Sequence, residues 1–232
     1  AYNEHDEARF VMERVKEWVN QQGRKHSEIA ILYRSNVQSR VFEENLIAQR
    51  IPYRIYGGLR FFERAEIKDA LAYLRLSSSK IADPAFERIV NHPPRGIGDR
   101  TLQVIRDYAR AESVPMWDAT KTIISQCSLA ARAQGALTQF VALIERLSEQ
   151  LKNKELEEQV EQVVGLSGLQ AHFEKDRSEK GQSRVENLLE LIEAARGFRY
   201  ESEDGEELSP LDAFLSNAAL ESGEGQASKW ED

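Results

Sequence analysis

The chain has 232 residues, of which 41% are apolar and 30% are charged. This composition supports a folded core and excludes a largely disordered chain. No stretch approaches the roughly 20 consecutive apolar residues that a membrane-spanning helix requires, so no membrane partner is expected. The single cysteine, Cys127, excludes an internal disulfide framework and favours a reducing cytoplasmic setting. Its apolar neighbours predict that Cys127 is a small buried side chain.

The acidic charge of the chain is unevenly distributed. The formal net charge is −8, and nucleic-acid-binding domains usually carry a basic balance instead. Residues 201–232, however, contain ten acids and a single base, Lys229, so the remainder of the chain is close to neutral. Because salt confines each surface charge to about 8–10 Å, a local basic patch can still bind phosphates.

The first quarter of the chain combines helical and strand patterns. The predicted elements are a helix over 3–22, a strand over 29–33, a helix that Ser35 or Asn36 caps and that runs to about Ala48, and a strand over 52–56. The continuous apolar run at 29–33 is typical of a strand buried on both faces. Strand, helix and strand in about 30 residues match the size of a βαβ unit, which cannot cover its own sheet. We therefore expect residues 1–57 to be a partial α/β unit.

After Gly58 the pattern becomes helical and stays so. Asp83 is a predicted N-cap with Pro84 at the first helical position, and Gly165, Gly168 and Gly181 separate the later helices. Helices are predicted over 64–76, 83–90, 99–112, 115–125, 128–151, 155–164, 183–197 and 209–220. The predicted fold is mainly α, an all-helical domain attached to the partial α/β unit.

Motifs that would indicate an enzyme are missing from the sequence. No GxxxxGK[ST] loop is present, so neither a nucleoside triphosphate nor any other cofactor is expected in this chain. Neither HExxH nor GxSxG occurs, and the four histidines lack ligand spacing, so no catalytic residue and no metal site are predicted. Adjacent acids such as Glu43 and Glu44 are interpreted as solvated helix faces rather than acid–base pairs.

A Gly-Ile-Gly segment between two predicted helices is the sharpest local signal. Gly96 and Gly98 permit positive φ and remove side chains that would block a ligand, while Ile97 is expected to hold the turn in the core. Amide groups at the following helix start would face solvent at the positive end of its dipole, an arrangement that attracts phosphate. The alternative is an ordinary tight turn. The predicted duplex-DNA-binding residues of this element are Arg95, Gly96, Ile97, Gly98, Arg100 and Thr101.

Two further basic segments are candidate DNA contacts. Lys68 and Arg75 lie seven residues apart on one predicted helix, which places them on nearly the same face. The alternative is a solvated face.

The second segment follows the first predicted strand. Ligands of open α/β sheets collect at the carboxyl ends of strands, so the polar groups there could bind single-stranded DNA. The alternative is a capped strand–helix turn, which is compatible with binding. The candidate residues are Arg34, Ser35, Asn36 and Arg40.

Several of these segments resemble the UvrD/Rep/PcrA family of DNA helicases. AILYRSNVQSRVFEENL (30–46) is similar to the fourth helicase motif of the family. IPYRIYGGLRFFERAEIKDALAYLRL (51–76) resembles the segment that leads into the inserted subdomain called 2B, and RGIGDRT (95–101) resembles the duplex-contacting hairpin. KGQSRVENLLEL (180–191) and FLSNAALESGEGQ (214–226) resemble later parts of the insertion.

The resemblance implies a fragment of an ATP-dependent 3′→5′ DNA helicase of mismatch and excision repair in the bacterial cytoplasm, associated with the nucleoid. Residues 1–57 and 226–232 would belong to the second RecA-like motor domain, and 58–225 would form the all-helical 2B subdomain with its helix-hairpin-helix-like GIG element. The family's duplex contacts map onto Gly96, Gly98, Thr101 and Lys68, and its single-strand contacts onto the Arg34–Arg40 stretch.

The chain departs from the complete family pattern. The phosphate-binding loop, the acidic metal-binding motif and the arginine fingers are not in this sequence, so ATP and Mg²⁺ are expected only in a full-length parent. The leading hypothesis is a mobile, regulatory duplex-binding module without chemistry of its own. The alternative is a protein-docking module that recruits mismatch- and excision-repair proteins, for which the acidic segment 201–232 would suit a basic partner. A standalone enzyme is disfavoured.

Overall fold

The computed structural model describes residues 3–34, 36–55, 59–199 and 208–222, of which Asn36 is described by its backbone alone. Within these residues the chain is mainly helical and contains no β-strand, so the prediction of a mainly α fold is confirmed. The helices are α1 (Glu4–Gln22), α2 (Ser39–Ala48), α3 (Ala65–Ser78), α4 (Asp83–Ile89), α5 (Asp99–Glu112), α6 (Met116–Ser125), α7 (Ala131–Gln150), α8 (Leu156–Leu166), α9 (Leu169–Phe173), α10 (Glu179–Gly197) and α11 (Pro210–Glu221).

The chain divides into two compact units, Ala1–Arg64 and Ala65–Asp232. In the first unit, α1 packs against α2. The helix α1 begins where Asn3 Oδ1 accepts the backbone N–H of Asp6 at 2.8 Å, and it ends at Gly23, which has a φ of 67°. These two caps explain why the predicted bounds of this helix match the structure so closely.

The two predicted strands of the first unit do not form. Residues 29–33 and 52–55 carry no regular structure, and Tyr56 lies outside the described residues. Burial alternates along the first segment, and Leu32 is 94% exposed, so the prediction of burial on both faces is wrong. An apolar run favours strand formation, but a strand forms only when a second strand is available to pair with it. Among the described residues, neither segment is paired with another strand.

A buried polar cluster is centred on α2 in the same unit. Glu43 accepts hydrogen bonds from Ser39 Oγ at 2.6 Å and from the backbone N–H of Phe61 at 3.2 Å. Burial raises the pKa of Glu43 despite these bonds and the nearby Arg64 guanidinium. The interpretation of Glu43 as part of a solvated face was therefore wrong, because its helix turns that position towards the Phe61 backbone.

The second unit is organised around α3, which packs against α4, α7, α8, α10 and α11. Side chains on several sides of α3 are fully buried, including Ile67, Tyr73 and Leu74. Further along the chain, Phe86 and Phe140 meet edge to face with ring centroids 5.6 Å apart. The connection between α4 and α5 lies at the surface of the unit, next to this core.

The helices predicted after Gly58 are confirmed with small shifts of their ends. The short helix α9 was missed, since five residues are too few to show helical periodicity. Asp83 is the first residue of α4 rather than its cap, and its carboxylate accepts the backbone N–H of Met116 at 2.9 Å. A 3₁₀ turn at Asn36–Gln38 precedes α2, which therefore begins later than the Ser35 or Asn36 cap implied.

The single cysteine does not lie in the core. Cys127 is exposed and has a φ of 50°, so the prediction that it is buried was wrong. It lies in the turn after α6, where its left-handed backbone breaks the helix that the apolar neighbours had suggested would bury it. Among the described helices, none is long and apolar enough to cross a membrane.

Candidate nucleic-acid interface

The connection between α4 and α5, residues 91–98, is called the Gly96 hairpin here. Asn91 shapes it, because its Oδ1 accepts the backbone N–H of Arg95 at 2.8 Å and that of Ile97 at 3.1 Å. The Ile97 side chain is fully buried, which confirms that this residue holds the hairpin in the core. The side-chain oxygen of Asn91 therefore satisfies two backbone N–H groups of the hairpin.

The two glycines of the hairpin differ in conformation. Gly96 has a φ of 81°, in the left-handed region that favours glycine. Gly98 has φ −88° and ψ 171°, so the prediction that both glycines use positive φ is wrong for Gly98. A β-carbon on Gly98 would meet no atom within 4 Å. Gly98 is thus required neither by backbone strain nor by internal packing, and a side chain at this position would extend into open space.

Three amides at the start of α5 lack an internal partner. The N–H groups of Gly98, Asp99 and Arg100 donate no hydrogen bond to any residue that the structure describes. All three residues are exposed. The Gly98 carbonyl accepts the next two amides, those of Thr101 and Leu102, at 3.0 and 3.1 Å. The free donors at the positive helix end form an arrangement suited to an anionic oxygen.

The Arg95 side chain points inward rather than towards solvent. Its Nη1 donates to the carbonyls of Ile89 and Pro93 at 3.0 and 3.1 Å, and its Nη2 donates to the Ser167 carbonyl at 3.1 Å and to the Tyr73 hydroxyl. The guanidinium carbon also lies over the rings of Tyr73 and Phe140, 5.7 and 5.6 Å from their centroids. This geometry favours a role in which Arg95 positions the hairpin from inside the protein, rather than contacting DNA as predicted.

Tyr73 links this arginine to the hairpin backbone. Its hydroxyl accepts from Arg95 and donates to the His92 carbonyl at 2.7 Å. Burial raises the pKa of Tyr73 to about 12, against the lowering effect of the Arg95 charge and hydrogen bond. The phenol therefore keeps its proton at neutral pH and remains a donor to His92.

The other predicted duplex contacts are placed differently. Arg100 is exposed and Thr101 half-buried, and neither side chain has a hydrogen bond or ion pair with a described residue. Lys68 is half-buried on α3 and equally unpaired, whereas Arg75 is exposed and reaches the Leu215 carbonyl at 3.5 Å. No hydrogen bond or ion pair joins Lys68 or Arg75 to the Gly96 hairpin in the described parts of the chain. Their contact with DNA stays a prediction.

The predicted single-strand site is only partly described. Ser35 and the Asn36 side chain lie outside the described residues. Arg34 is exposed, and its backbone N–H donates to Gln38 Oε1 at 3.1 Å. Arg40 is 2% exposed and forms an ion pair with Glu44. Arg34 is therefore the more accessible cation of this stretch, and single-strand binding by these residues stays a prediction.

Sequence reasoning missed a histidine pair beside the hairpin. The rings of His92 and His172 lie 5.4 Å apart, and His92 Nε2 is 3.1 Å from a carboxylate oxygen of Asp69. The pKa of His172 is lowered, first by burial and then by the charge of His92. The separation of 80 positions hid this pair from any spacing rule. Within the described residues, no group of three or more His, Cys, Asp or Glu side chains is placed to hold a metal ion.

Comparison with known proteins assigns this chain to a family of helicase domains. The chain belongs to the UvrD-like helicase C-terminal domain family, whose model matches residues 1–232. It is 53% identical to DNA helicase II of Escherichia coli over 232 residues, which is 100% of this chain and 32% of the relative. It is 49% identical to DNA helicase II of Haemophilus influenzae over 228 residues, 98% of this chain and 31% of the relative.

A less similar relative matches nearly as much of this chain. The ATP-dependent DNA helicase PcrA of Bacillus subtilis is 37% identical over 218 residues, 94% of this chain and 29% of that protein. The chain therefore spans about a third of the length of the curated relatives that it matches.

Proposed function

We propose that this chain is the duplex-binding, mobile regulatory part of an ATP-dependent 3′→5′ DNA helicase of DNA repair. In this function the Gly96 hairpin holds the phosphate backbone of double-stranded DNA ahead of the fork and reads no sequence. The chain carries no phosphate-binding loop, so ATP and Mg²⁺ would bind to other parts of a complete helicase. The curated relatives are named as DNA helicases, which supports DNA as the partner.

One observation carries the proposal. The unpaired amides of Gly98, Asp99 and Arg100 belong to exposed residues at the start of α5, while Ile97 and Asn91 hold the hairpin in place. An ordinary tight turn would need the inner contacts but not the empty approach in front of Gly98. Phosphate oxygens accept hydrogen bonds from such amides without any contact to a base.

The division of the chain into two compact units supports a domain boundary near the proposed start of the insertion. Residues 1–57 and 226–232 would belong to the second RecA-like motor domain, and residues 58–225 would form the 2B insertion. The boundary between the two compact units at Arg64 and Ala65 lies seven residues after the proposed start of the insertion. Single-strand binding by the Arg34–Arg40 stretch belongs to the same proposal.

The test is fluorescence anisotropy of the 232-residue chain with labelled hairpin duplexes of unrelated sequence, across a range of salt concentrations. Gly98→Leu should weaken binding equally on all sequences, because its side chain would fill the approach to the α5 amides. The same variant should keep the wild-type unfolding midpoint in urea, since Gly98 has an extended backbone and open surroundings. Loss of each phosphate contact should reduce the log–log salt slope by about 0.9.

Wild-type protein that shows no salt-sensitive duplex binding would overturn the proposal and favour the protein-docking alternative. If Gly98→Leu binds DNA as the wild type does, the Gly96 hairpin is not the contact, whatever the rest of the chain binds.

A further inference from the structure

A cation outside the predicted set lies against the Gly96 hairpin. Arg132, on α7, places its Nε and Nη2 atoms 3.7 Å from the point where a β-carbon on Gly96 would stand. The residue is exposed, and its guanidinium forms no hydrogen bond or ion pair with a residue that the structure describes. The guanidinium of Arg132 thus lies directly beside the hairpin at Gly96.

The position of Arg132 within its helix is electrostatically unfavourable. It is the second residue of α7, where the positive end of the helix dipole disfavours a cation. The first turn of α7 contains no acidic residue that would offset this effect. A residue that served only the stability of α7 would more naturally be acidic here, so the guanidinium is better explained by an anion that is bound from outside.

The arginines around the hairpin differ in whether their guanidinium groups already have partners within the protein. Arg95 is held inward by four acceptors, and Arg106 is paired with Glu87. Arg100 and Arg132 are both exposed and unpaired among the described residues, one in the first turn of α5 and the other in the first turn of α7. The accessible charge at the hairpin therefore comes from two helices that are distant in sequence.

We propose that Arg132 is a phosphate-binding residue of the duplex interface, which it completes from α7 alongside the Gly96 hairpin. The inference rests on the proposed duplex-binding function and extends it to a second helix. A guanidinium presents paired donors that match phosphate oxygens, and it contacts the DNA backbone whatever the base sequence. The interface would then span the starts of α5 and α7.

The experiment compares Arg132→Ala, Arg132→Lys and Arg146→Ala in the full 232-residue chain. Arg146 is exposed on the same helix and unpaired in the described structure, about 21 Å further along the axis, so its removal makes the same change in net charge. Anisotropy with a labelled hairpin duplex is measured across salt concentrations. Urea unfolding of each variant is measured in parallel.

Arg132→Ala should bind roughly three- to tenfold more weakly at low salt and lose about 0.9 from the salt slope, while Arg146→Ala keeps the slope. Arg132→Lys should retain most of the slope, because it keeps the charge. The urea midpoint of Arg132→Ala should be unchanged or higher, since a cation leaves the positive helix end, whereas a structural arginine would lower the midpoint when removed.

Failure of this inference differs from failure of the proposed function. If the wild type binds duplex and Gly98→Leu weakens it, but Arg132→Ala and Arg146→Ala behave alike, Arg132 has no specific role and the hairpin stands. If the wild type shows no salt-sensitive duplex binding, the proposed function fails together with this inference.

Discussion

The side chain of Asn91 accepts the backbone N–H of Ile97 at 3.1 Å, and this bond closes the loop that carries Gly96. Asn91→Leu removes the acceptor and leaves the amides of Ile97 and Arg95 without their partner. We expect a loss of about 1–3 kcal/mol in the free energy of unfolding, measured by urea denaturation. Asn91→Asp keeps an acceptor of the same length and serves as the control. Equal stability of Asn91→Leu and wild type would contradict the assigned role of this bond.

The Arg95 guanidinium should matter for stability rather than for DNA charge. Arg95→Ala breaks four hydrogen bonds, including those to Ser167 and Tyr73, and should lower the free energy of unfolding by about 2–4 kcal/mol. Arg95→Lys should restore little, because an ammonium lacks the planar set of donors. Arg100→Ala is the matched control, and as an exposed substitution it should change stability by less than about 0.5 kcal/mol. If Arg100→Ala is destabilised as strongly as Arg95→Ala, the four hydrogen bonds of Arg95 do not explain its effect on stability.

Gly181 is required by the close approach of another backbone segment. A β-carbon on Gly181 would lie 2.0 Å from the Asp176 carbonyl oxygen, so Gly181→Ala should cost about 1–3 kcal/mol of stability. Gly135, inside α7, has open surroundings, and Gly135→Ala should instead stabilise by up to about 1 kcal/mol through its helix propensity. Thermal unfolding of both variants checks the opposite signs. A stabilising Gly181→Ala would refute the close approach.

The protonation of His172 should destabilise the fold at mildly acidic pH. Its pKa is lowered from 6.5 by burial and then by the nearby charges of His92, Lys175 and Arg184, with Asp69 opposing them. The folded state therefore disfavours the proton that the unfolded state accepts near pH 6.5. This contribution to stability is complete above that pH, and it is lost as the pH falls from there through the lower pKa of the folded state.

The measurement for His172 is the urea midpoint at about pH 7.5 and about pH 5.5, a pair that brackets the unfolded titration. His172→Gln should show a smaller fall between the two than wild type does. His26→Gln, which removes an exposed imidazole from the first unit, should keep the wild-type difference. If both variants behave alike, His172 contributes nothing to the acid sensitivity.

Asp99 is an acid that stands beside the free amides of α5. Asp99→Asn should strengthen duplex binding by about two- to fivefold at low salt, because it removes repulsion of the approaching phosphate. It should also weaken α5 slightly, since a carboxylate in the first turn stabilises the helix dipole. Asp107, exposed further along the same helix, provides the control variant Asp107→Asn. Weaker binding by Asp99→Asn would mean that the carboxylate is itself a contact.

The helices and the Gly-Ile-Gly turn were predictable from the sequence because their signals are local. Apolar periodicity located α3 and α5 almost to the residue, and the burial of Ile97 follows from its position between two glycines. The strands were not predictable in the same way, because a strand exists only with a partner, and the run 29–33 finds none among the described residues.

The roles of individual arginines depended on distant partners. Nothing near Arg95 in the sequence indicates that its guanidinium reaches the Ser167 carbonyl, 72 positions away. Likewise the contact of Arg132 with Gly96 joins positions that are 36 residues apart in the sequence. Residue type and local spacing identified a basic turn, but they could not tell which of its cations face inward and which face solvent.

The anchoring of Arg95 has a thermodynamic consequence for association. The Gly96 hairpin is fixed to α3, α4 and the end of α8 before any ligand arrives, so its backbone has little freedom left to lose. A rigid loop avoids the ordering entropy that a flexible one must overcome on complex formation. Affinity for an anionic polymer would then be governed by counterion release at the surface rather than by folding of the loop.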